Sequence, residues 1–188
     1  MSYQVIPPDY QITKNALIGY ASTTRREGLR YRDMFMRRLS SDSVVQSNFL
    51  FVVDGMVAGV CGLNAAGNYY NEVKHQACED EYIWILYSMS AYSIRHNRLN
   101  KLMLLCAKCD SLLNRFDSYN RRARGFETTC LSRFPESKQM RGVAKLINRE
   151  KLKSGDYRLV YRAERTQQTY GEVLSEWIKN TTEKISVN

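Results

Sequence analysis

The spacing of apolar positions in this 188-residue chain alternates between a period of two and a helical period, and the changes mark strands and helices. The clearest strand signal is a pair of β-rich runs, 49–53 and 56–63, on either side of Asp54-Gly55. This dipeptide tolerates positive φ angles, so the segment predicts a β-hairpin. The apolar run 82–89 predicts a buried strand, and 125–131 predicts another.

A second hairpin is predicted farther along the chain. Its arms are 143–149 and 157–163, and they flank the turn sequence Lys153-Ser154-Gly155-Asp156. In the second arm an apolar face alternates with a largely basic one, which is the period of a strand. The polar segment 64–81 predicts a loop between the first hairpin and the strand at 82–89.

Four segments show the helical period. Residues 12–22 and 29–39 predict two short helices near the N-terminus. Residues 98–116 predict a longer helix with one buried face, and 169–179 predict a closing helix. The apolar positions of the last two are Leu99, Leu102, Met103, Cys106, Cys109, Leu113 and Phe116, and then Tyr170, Val173, Leu174, Trp177 and Ile178.

Together these elements predict an α/β (α+β) fold with a mixed central sheet flanked by helices. A content of 44% hydrophobic residues is ample for one core, and no repeat or flexible linker divides the chain, so residues 1–188 are predicted to form a single domain. No run of about 18 apolar residues and no basic-then-apolar leader pattern occurs. We therefore expect a cytoplasmic protein without a membrane partner; its oligomeric state is left open.

Five cysteines are present, of which Cys106 and Cys109 lie three apart inside a predicted helix. That spacing resembles half of a zinc site. No second pair follows, however, and the chain contains only two histidines. We therefore predict buried free thiols and no metal site.

The net charge of +9 is concentrated in one half of the chain. Residues 1–94 carry 8 Lys and Arg against 9 Asp and Glu, whereas residues 95–188 carry 20 against 10, a balance of +10. Such a basic half predicts a polyanionic partner, with nucleic acid as the first candidate and a phosphorylated cofactor as the second. The densest patch, and the candidate nucleic-acid site, comprises Arg121, Arg122 and Arg124.

A basic turn joins the strand at 82–89 to the helix at 98–116. Backbone N–H groups and the helix dipole favour an anion at such a helix N-terminus, and the pyrophosphate of coenzyme A or of a nucleotide would fit there. The alternative is a solvated basic loop before a core helix. The candidate binding residues are Arg95, His96, Asn97, Arg98, Asn100 and Lys101.

The order of these elements resembles the GNAT acyltransferase fold. In that family the turn reads Arg/Gln-x-x-Gly-x-Gly/Ala, and Arg95 to Asn100 stand at the matching positions, where Arg98 and Asn100 replace the glycines. The resemblance implies acetyl-CoA or a related acyl-CoA as the donor substrate, bound by its pyrophosphate at this turn. It also implies that backbone N–H groups near Ser88 and Met89 polarise the acyl carbonyl.

Several ordered segments over residues 49–180 are similar to the Mom-type DNA modification proteins of bacteriophages, a divergent GNAT-like group. They are Arg98-Leu99-x-Lys101-Leu102, Thr128-Thr129-x-Leu131-Ser132-x-x-Pro135-x-Ser137, Arg141-Gly142-Val143 and Glu176-Trp177. This similarity implies transfer of a small acyl-derived group to a base in phage DNA, which blocks host restriction enzymes. DNA and acyl-CoA are then the expected partners.

Two departures from that group bear on the acceptor. Arg133 stands where we expect an acidic residue, and Met140 stands where we expect a tyrosine. Without those proton-handling groups, two kinds of acceptor stay open. One is an alkyl amine, such as that of aminomethyl-uracil, and the other is an adenine amino group. A base in duplex DNA must leave the stack to react, and Tyr69, Tyr70 or Tyr119 are candidates to stack on it.

The predicted catalytic residues are Glu81, as a general base, and Ser132, Ser137 and Arg141, which follow a strand at the family's active edge. His75 and His96 are alternative bases. Two other functions remain open at this point. One is a degenerate GNAT-fold protein that binds nucleic acid without catalysis, and the other is an N-acetyltransferase for a small amine or a protein.

Overall fold

The computed structural model describes residues 4–36, 45–65, 81–91, 98–118 and 122–185. A seven-stranded sheet forms its centre, and helices cover both faces of the sheet. In chain order the elements are β1 (Ile18–Thr23), α1 (Arg25–Phe35), β2 (Ser47–Val53), β3 (Met56–Asn64), β4 (Tyr82–Ser90), α2 (Leu99–Ala107), α3 (Asp110–Leu113), β5 (Gly125–Ser132), β6 (Lys145–Lys151), β7 (Tyr157–Glu164) and α4 (Tyr170–Ile185).

The strands are arranged in the order β1-β2-β3-β4-β5-β7-β6. Strands β4 and β5 run parallel, and the other neighbouring pairs are antiparallel. This architecture, a mixed central sheet flanked by helices, confirms the predicted α/β fold class.

Alternating side chains of the central strands supply a separate core on each face of the sheet. Leu50 of β2 packs with Tyr31 of α1 on one face. Its neighbour Phe51 points the other way, into a larger core that includes Leu102 of α2 and Leu174 of α4. The first core is therefore covered by α1, and the second by α2 and α4.

Most of the predicted strands are confirmed. Asp54 and Gly55, with φ of 48° and 81°, form the turn of the first hairpin. The strands predicted at 82–89 and 125–131 are β4 and β5, each one residue longer. The second hairpin is confirmed with its first arm shifted to β6, and the closing helix is confirmed but extends to Ile185.

The predicted helix at 12–22 is wrong, because residues 18–23 form the edge strand β1. Tyr20 explains the difference. Its ring packs on Phe51 at 5.2 Å, and its hydroxyl donates to the carbonyl oxygen of Met103 at 2.6 Å in the buried core. Pairing with β2 and this anchor outweigh the helical spacing of the local sequence.

The second predicted helix begins earlier than expected, at Arg25, because the Thr24 hydroxyl caps it by accepting the N–H of Glu27 at 3.2 Å. It ends at Phe35, before the predicted end at 39. The polar loop predicted at 64–81 lies mostly outside the described residues, as do Tyr69, Tyr70 and His75.

The long helix predicted at 98–116 is interrupted after α2. The short helix α3 and a 3₁₀ turn, Asn114–Phe116, follow the break. Asp110 explains the interruption, since its N–H donates to the carbonyl of Thr166 and its carboxylate binds the guanidinium of Arg165. The chain therefore leaves the helical path to bond with the segment after β7.

Cys106 and Cys109 are buried free thiols, as predicted. Burial raises the pKa of the Cys109 thiol to about 11 and that of Cys106 well above its ordinary value, so both remain protonated. Within the described ranges no group of three or more His, Cys, Asp or Glu residues is placed to hold a metal ion. No helix in this part of the chain is long and apolar enough to cross a membrane.

Candidate functional site

The parallel strands β4 and β5 stop pairing halfway along their length. Their register runs from Tyr82 opposite Gly125 to Ile85 opposite Thr128 and ends there. At the same point β4 contains a bulge, because Gly62 of β3 pairs with Tyr87 while its neighbour Leu63 pairs with Ile85. Leu86 is therefore the extra residue of the bulge, which has no partner in the β3 register. A bulge bends a strand and increases its twist, so it explains why the strands separate here.

Backbone donors of β4 line the gap that this separation leaves. The N–H of Ala91 donates to the carbonyl of Ala58 on β3 at 2.8 Å. Ladder hydrogen bonds alternate along a strand, so the N–H of Met89 also faces β3, whereas those of Ser88 and Ser90 face the gap. Of the two predicted carbonyl-polarising positions, Ser88 has this orientation and Met89 does not.

Helix α2 begins beside the same end of β4. The Ser88 hydroxyl donates to the side-chain oxygen of Asn100 at 2.7 Å, which ties the strand to the first helical turn. Among the described residues no side chain caps this turn, and the turn holds no acidic residue, so its backbone N–H groups and dipole favour an anion. Arg98 is its N-cap residue. Arg95, His96 and Asn97 of the predicted turn lie outside the described residues.

A cavity of about 360 Å³ lies between α2 and α4. Its described lining includes four cations and one carboxylate, that of Glu176. A Glu176 oxygen accepts a hydrogen bond from the Gln168 amide at 2.9 Å. Arg98 and Lys108 stand ten residues apart on the α2 side, about 15 Å along a helix axis. The cations are Arg98, Lys101, Lys108 and Arg141.

Trp177 forms part of the wall of this cavity. Its side chain is 7% exposed, and its indole N–H has no acceptor among the described residues. A buried donor without a partner is costly, so such a group is a natural contact for a ligand oxygen. The cavity therefore combines positive charge with a buried neutral donor, an arrangement that suits an anionic group such as a phosphate.

The segment between β5 and β6 forms a second cavity, of about 530 Å³. Three of the predicted catalytic residues, Ser132, Ser137 and Arg141, line it together. Arg141 lines both cavities. Its carbonyl accepts the ammonium of Lys101 at 2.6 Å, which joins α2 to this segment. The next residue, Gly142, has φ of 73°, a conformation that favours glycine and turns the chain back toward β6.

Tyr161 was not predicted as a site residue, because alternation along β7 marks it only as a core position. Its hydroxyl accepts the N–H of Ser137 at 2.7 Å. It pairs with Thr128, at the point where β4 and β5 separate. Burial raises the pKa of the Tyr161 phenol, so the group keeps its proton at neutral pH.

Glu81 lies at the opposite end of β4 from Ser88. Seven residues of strand, about 23 Å, separate them. The Glu81 carboxylate forms an ion pair with the Arg124 guanidinium at 2.8 Å. The structure therefore brings these two predicted residues together, and both lie far from the cavities. Arg122 is exposed nearby, and Arg121 and Tyr119 lie outside the described residues.

The two departures from the Mom-type pattern occupy different environments. Met140 is 4% exposed and packs in the larger core, and it lines neither cavity. Arg133 is exposed beside the second cavity, between two of its lining residues, Ser132 and Phe134.

Comparison with known proteins gives one result. A sequence profile described as "Phage GNAT-like domain" matches residues 16–182. No curated protein and no solved structure matches the chain. GNAT domains generally transfer acyl groups from acyl-CoA, and the match spans all seven strands and every described helix except the last three residues of α4. The chain belongs to the phage GNAT-like domain family.

Proposed function

We propose that this protein transfers an acetyl or related acyl group from an acyl-CoA to an amino group on a base in phage DNA, so that the genome resists host restriction. The observation that carries the proposal is the gap between β4 and β5, which opens at the Leu86 bulge beside the uncapped start of α2. Carbonyl-polarising donors and phosphate-binding cations therefore lie at one end of the sheet.

Two groups of residues would hold the donor. Arg98 and Lys101 bind its phosphates in the cavity between α2 and α4, where charge-assisted hydrogen bonds are strong. The N–H groups of Ser88 and Ser90 donate to the thioester carbonyl oxygen. Because they are fixed by the strand, they stabilise the oxyanion that forms when the carbonyl carbon is attacked.

The reaction joins nitrogen to carbon and releases the thiolate. The neutral amine attacks the carbonyl carbon, and the C–N bond forms as the C–S bond breaks. Tyr161 is our candidate to protonate the departing thiolate, since its phenol retains a proton and its backbone pairs with Thr128, where β4 and β5 separate. Glu136, the one carboxylate among the residues lining the second cavity, is our candidate to take the proton from the incoming amine. Most of the rate gain comes from holding the two reactants together.

DNA is the proposed acceptor for two reasons. The first is the excess of positive charge in residues 95–188. The second is where the segments similar to Mom-type proteins lie in the fold. Lys101, Arg141 and Trp177 line the first cavity, whereas Ser132, Pro135 and Ser137 line the second. Segments that are distant in sequence thus meet around the two cavities.

Nucleoside mass spectrometry tests this proposal. In one arm the protein is expressed in cells, and the nucleosides of the host DNA are analysed. In the other arm, DNA that contains aminomethyl-uracil is treated with purified protein and acetyl-CoA, and its nucleosides are analysed. We expect a nucleoside heavier by one acyl group in one of the two, and its absence with the Arg98→Glu variant. Unmodified nucleosides in both DNAs, with DNA binding retained, would favour the degenerate nucleic-acid binder instead.

A further inference from the structure

Phe134 is the most unusual apolar side chain at the second cavity. It is 69% exposed and lines the cavity wall in the segment between β5 and β6. An exposed apolar surface that is bordered by polar or charged residues is typical of a binding site. Pro135 adds a second apolar wall next to the ring.

The segment that presents Phe134 is held at several points along its length. The Ser132 hydroxyl accepts the Phe134 N–H at 3.0 Å, and the Tyr161 hydroxyl accepts the Ser137 N–H at 2.7 Å. Buried Met140 and the bond from Lys101 to the Arg141 carbonyl fix its far end. The backbone that carries the ring is therefore held in place before any ligand binds, which lowers the entropic cost of stacking.

Positive charge surrounds this aromatic wall. Lys138 and Arg141 line the same cavity, and Arg133 precedes Phe134 in the chain. Glu136, the carboxylate of the lining, lies 3.6 Å from the guanidinium of Arg149. A planar apolar ring bordered by cations matches a heterocyclic base attached to a phosphate backbone.

From this arrangement we infer that residues 132–141 form the binding site for the acceptor base, with the ring of Phe134 as its stacking surface and Lys138 and Arg141 on the flanking phosphates. This inference rests on the proposed function, since it names where that reaction's acceptor lies. The ring can stack only on a base that has left the helix, so the site selects single-stranded or flipped nucleotides over stacked duplex.

The test measures binding of a single-stranded oligonucleotide that contains 2-aminopurine, whose fluorescence is quenched by stacking. Phe134→Leu keeps an apolar side chain but removes the aromatic face, and we expect about tenfold weaker binding with loss of quenching. Phe134→Tyr restores both. Leu17→Ala, which removes another exposed apolar side chain (79% exposed) far from the cavity, leaves both unchanged.

Salt dependence separates stacking from charge. Phe134→Leu leaves the slope of log affinity against log salt unchanged, whereas Lys138→Ala reduces it by about one unit. The inference would be overturned if Phe134→Leu bound the oligonucleotide and quenched its fluorescence as the wild type does. If that variant also acylates DNA normally, the proposed function stands and the base binds elsewhere. Quenching that depends on Phe134 in a protein without acyl transfer would instead support the base site while refuting the proposed function.

Discussion

The Ser88 hydroxyl of β4 donates a 2.7 Å hydrogen bond to the side-chain oxygen of Asn100 in the first turn of α2. Asn100 stands where the GNAT turn has glycine or alanine, so the departure from the family pattern has a structural consequence. It connects the strand whose N–H groups face the gap to the helix whose N-terminus borders the cation-lined cavity. The two halves of the proposed donor site are therefore mechanically linked.

This link predicts coupling between the two residues. Asn100→Ala and Ser88→Ala should each lower the free energy of unfolding by about 1 kcal/mol, because each leaves a half-buried partner unsatisfied. The double variant should lose less than the sum of the two. Urea denaturation of the four proteins measures the coupling, and strictly additive losses would contradict the link.

Charge reversal at the start of α2 should weaken acyl-CoA binding. Arg98→Glu or Lys101→Glu replaces an attractive charge with a repulsive one at the cavity, and we expect the dissociation constant to rise at least about tenfold, or 1.4 kcal/mol. Calorimetry measures the dissociation constant. Lys14→Glu, an equal change at an exposed position before β1, serves as the control. Equal weakening in the control would mean that only net charge matters.

Tyr161 should control the rate of transfer and its dependence on pH. Tyr161→Phe removes the proposed proton donor, and we expect kcat to fall by about 100-fold. Because burial raises the phenol pKa, the donor stays protonated above the ordinary tyrosine value, so wild-type kcat should not decline on its account until pH exceeds about 10. A variant with wild-type kcat across this range would remove Tyr161 from the mechanism.

The sequence was sufficient to predict the elements whose pattern is determined locally. The Asp54-Gly55 turn, the apolar run of β4 and the alternation in β7 each reflect a single strand and its turn. β1 was missed because Tyr20 is held by distant partners, Phe51 and Met103. The predicted site residues divide in a similar way: Ser132, Ser137 and Arg141 line one cavity, whereas Glu81 lies at the other end of β4 from Ser88.

Pairs that only the folded chain creates could not be predicted. Tyr161 has the alternation of a core residue, and its contact with Ser137 depends on how the segment after β5 turns back. Trp177 likewise has helical core spacing. That its N–H lacks a partner among the described residues becomes visible only when α4 is packed against α2.

Two glycines should respond in opposite ways to alanine. A Cβ on Gly125 would lie 1.9 Å from the carbonyl oxygen of Ala163, so Gly125→Ala must displace the backbone of β7, and we expect a loss of about 3 kcal/mol or more. A Cβ on Gly171, in α4, meets nothing closer than 4.0 Å, so Gly171→Ala should gain up to about 1 kcal/mol from helix propensity. Thermal unfolding measures the melting temperatures of the two variants, and similar values would contradict the close pairing of β5 with β7.

The central claim is that the acceptor is an amino group on a base within polymeric DNA. The most direct test offers purified protein and labelled acetyl-CoA three acceptors: ordinary DNA, DNA containing aminomethyl-uracil, and the free nucleosides. Backbone contacts contribute binding energy that a nucleoside lacks, so we predict label in one of the polymers at a far higher kcat/KM than in any nucleoside. Label in nucleosides but in neither polymer would contradict the account and identify a small-amine acyltransferase.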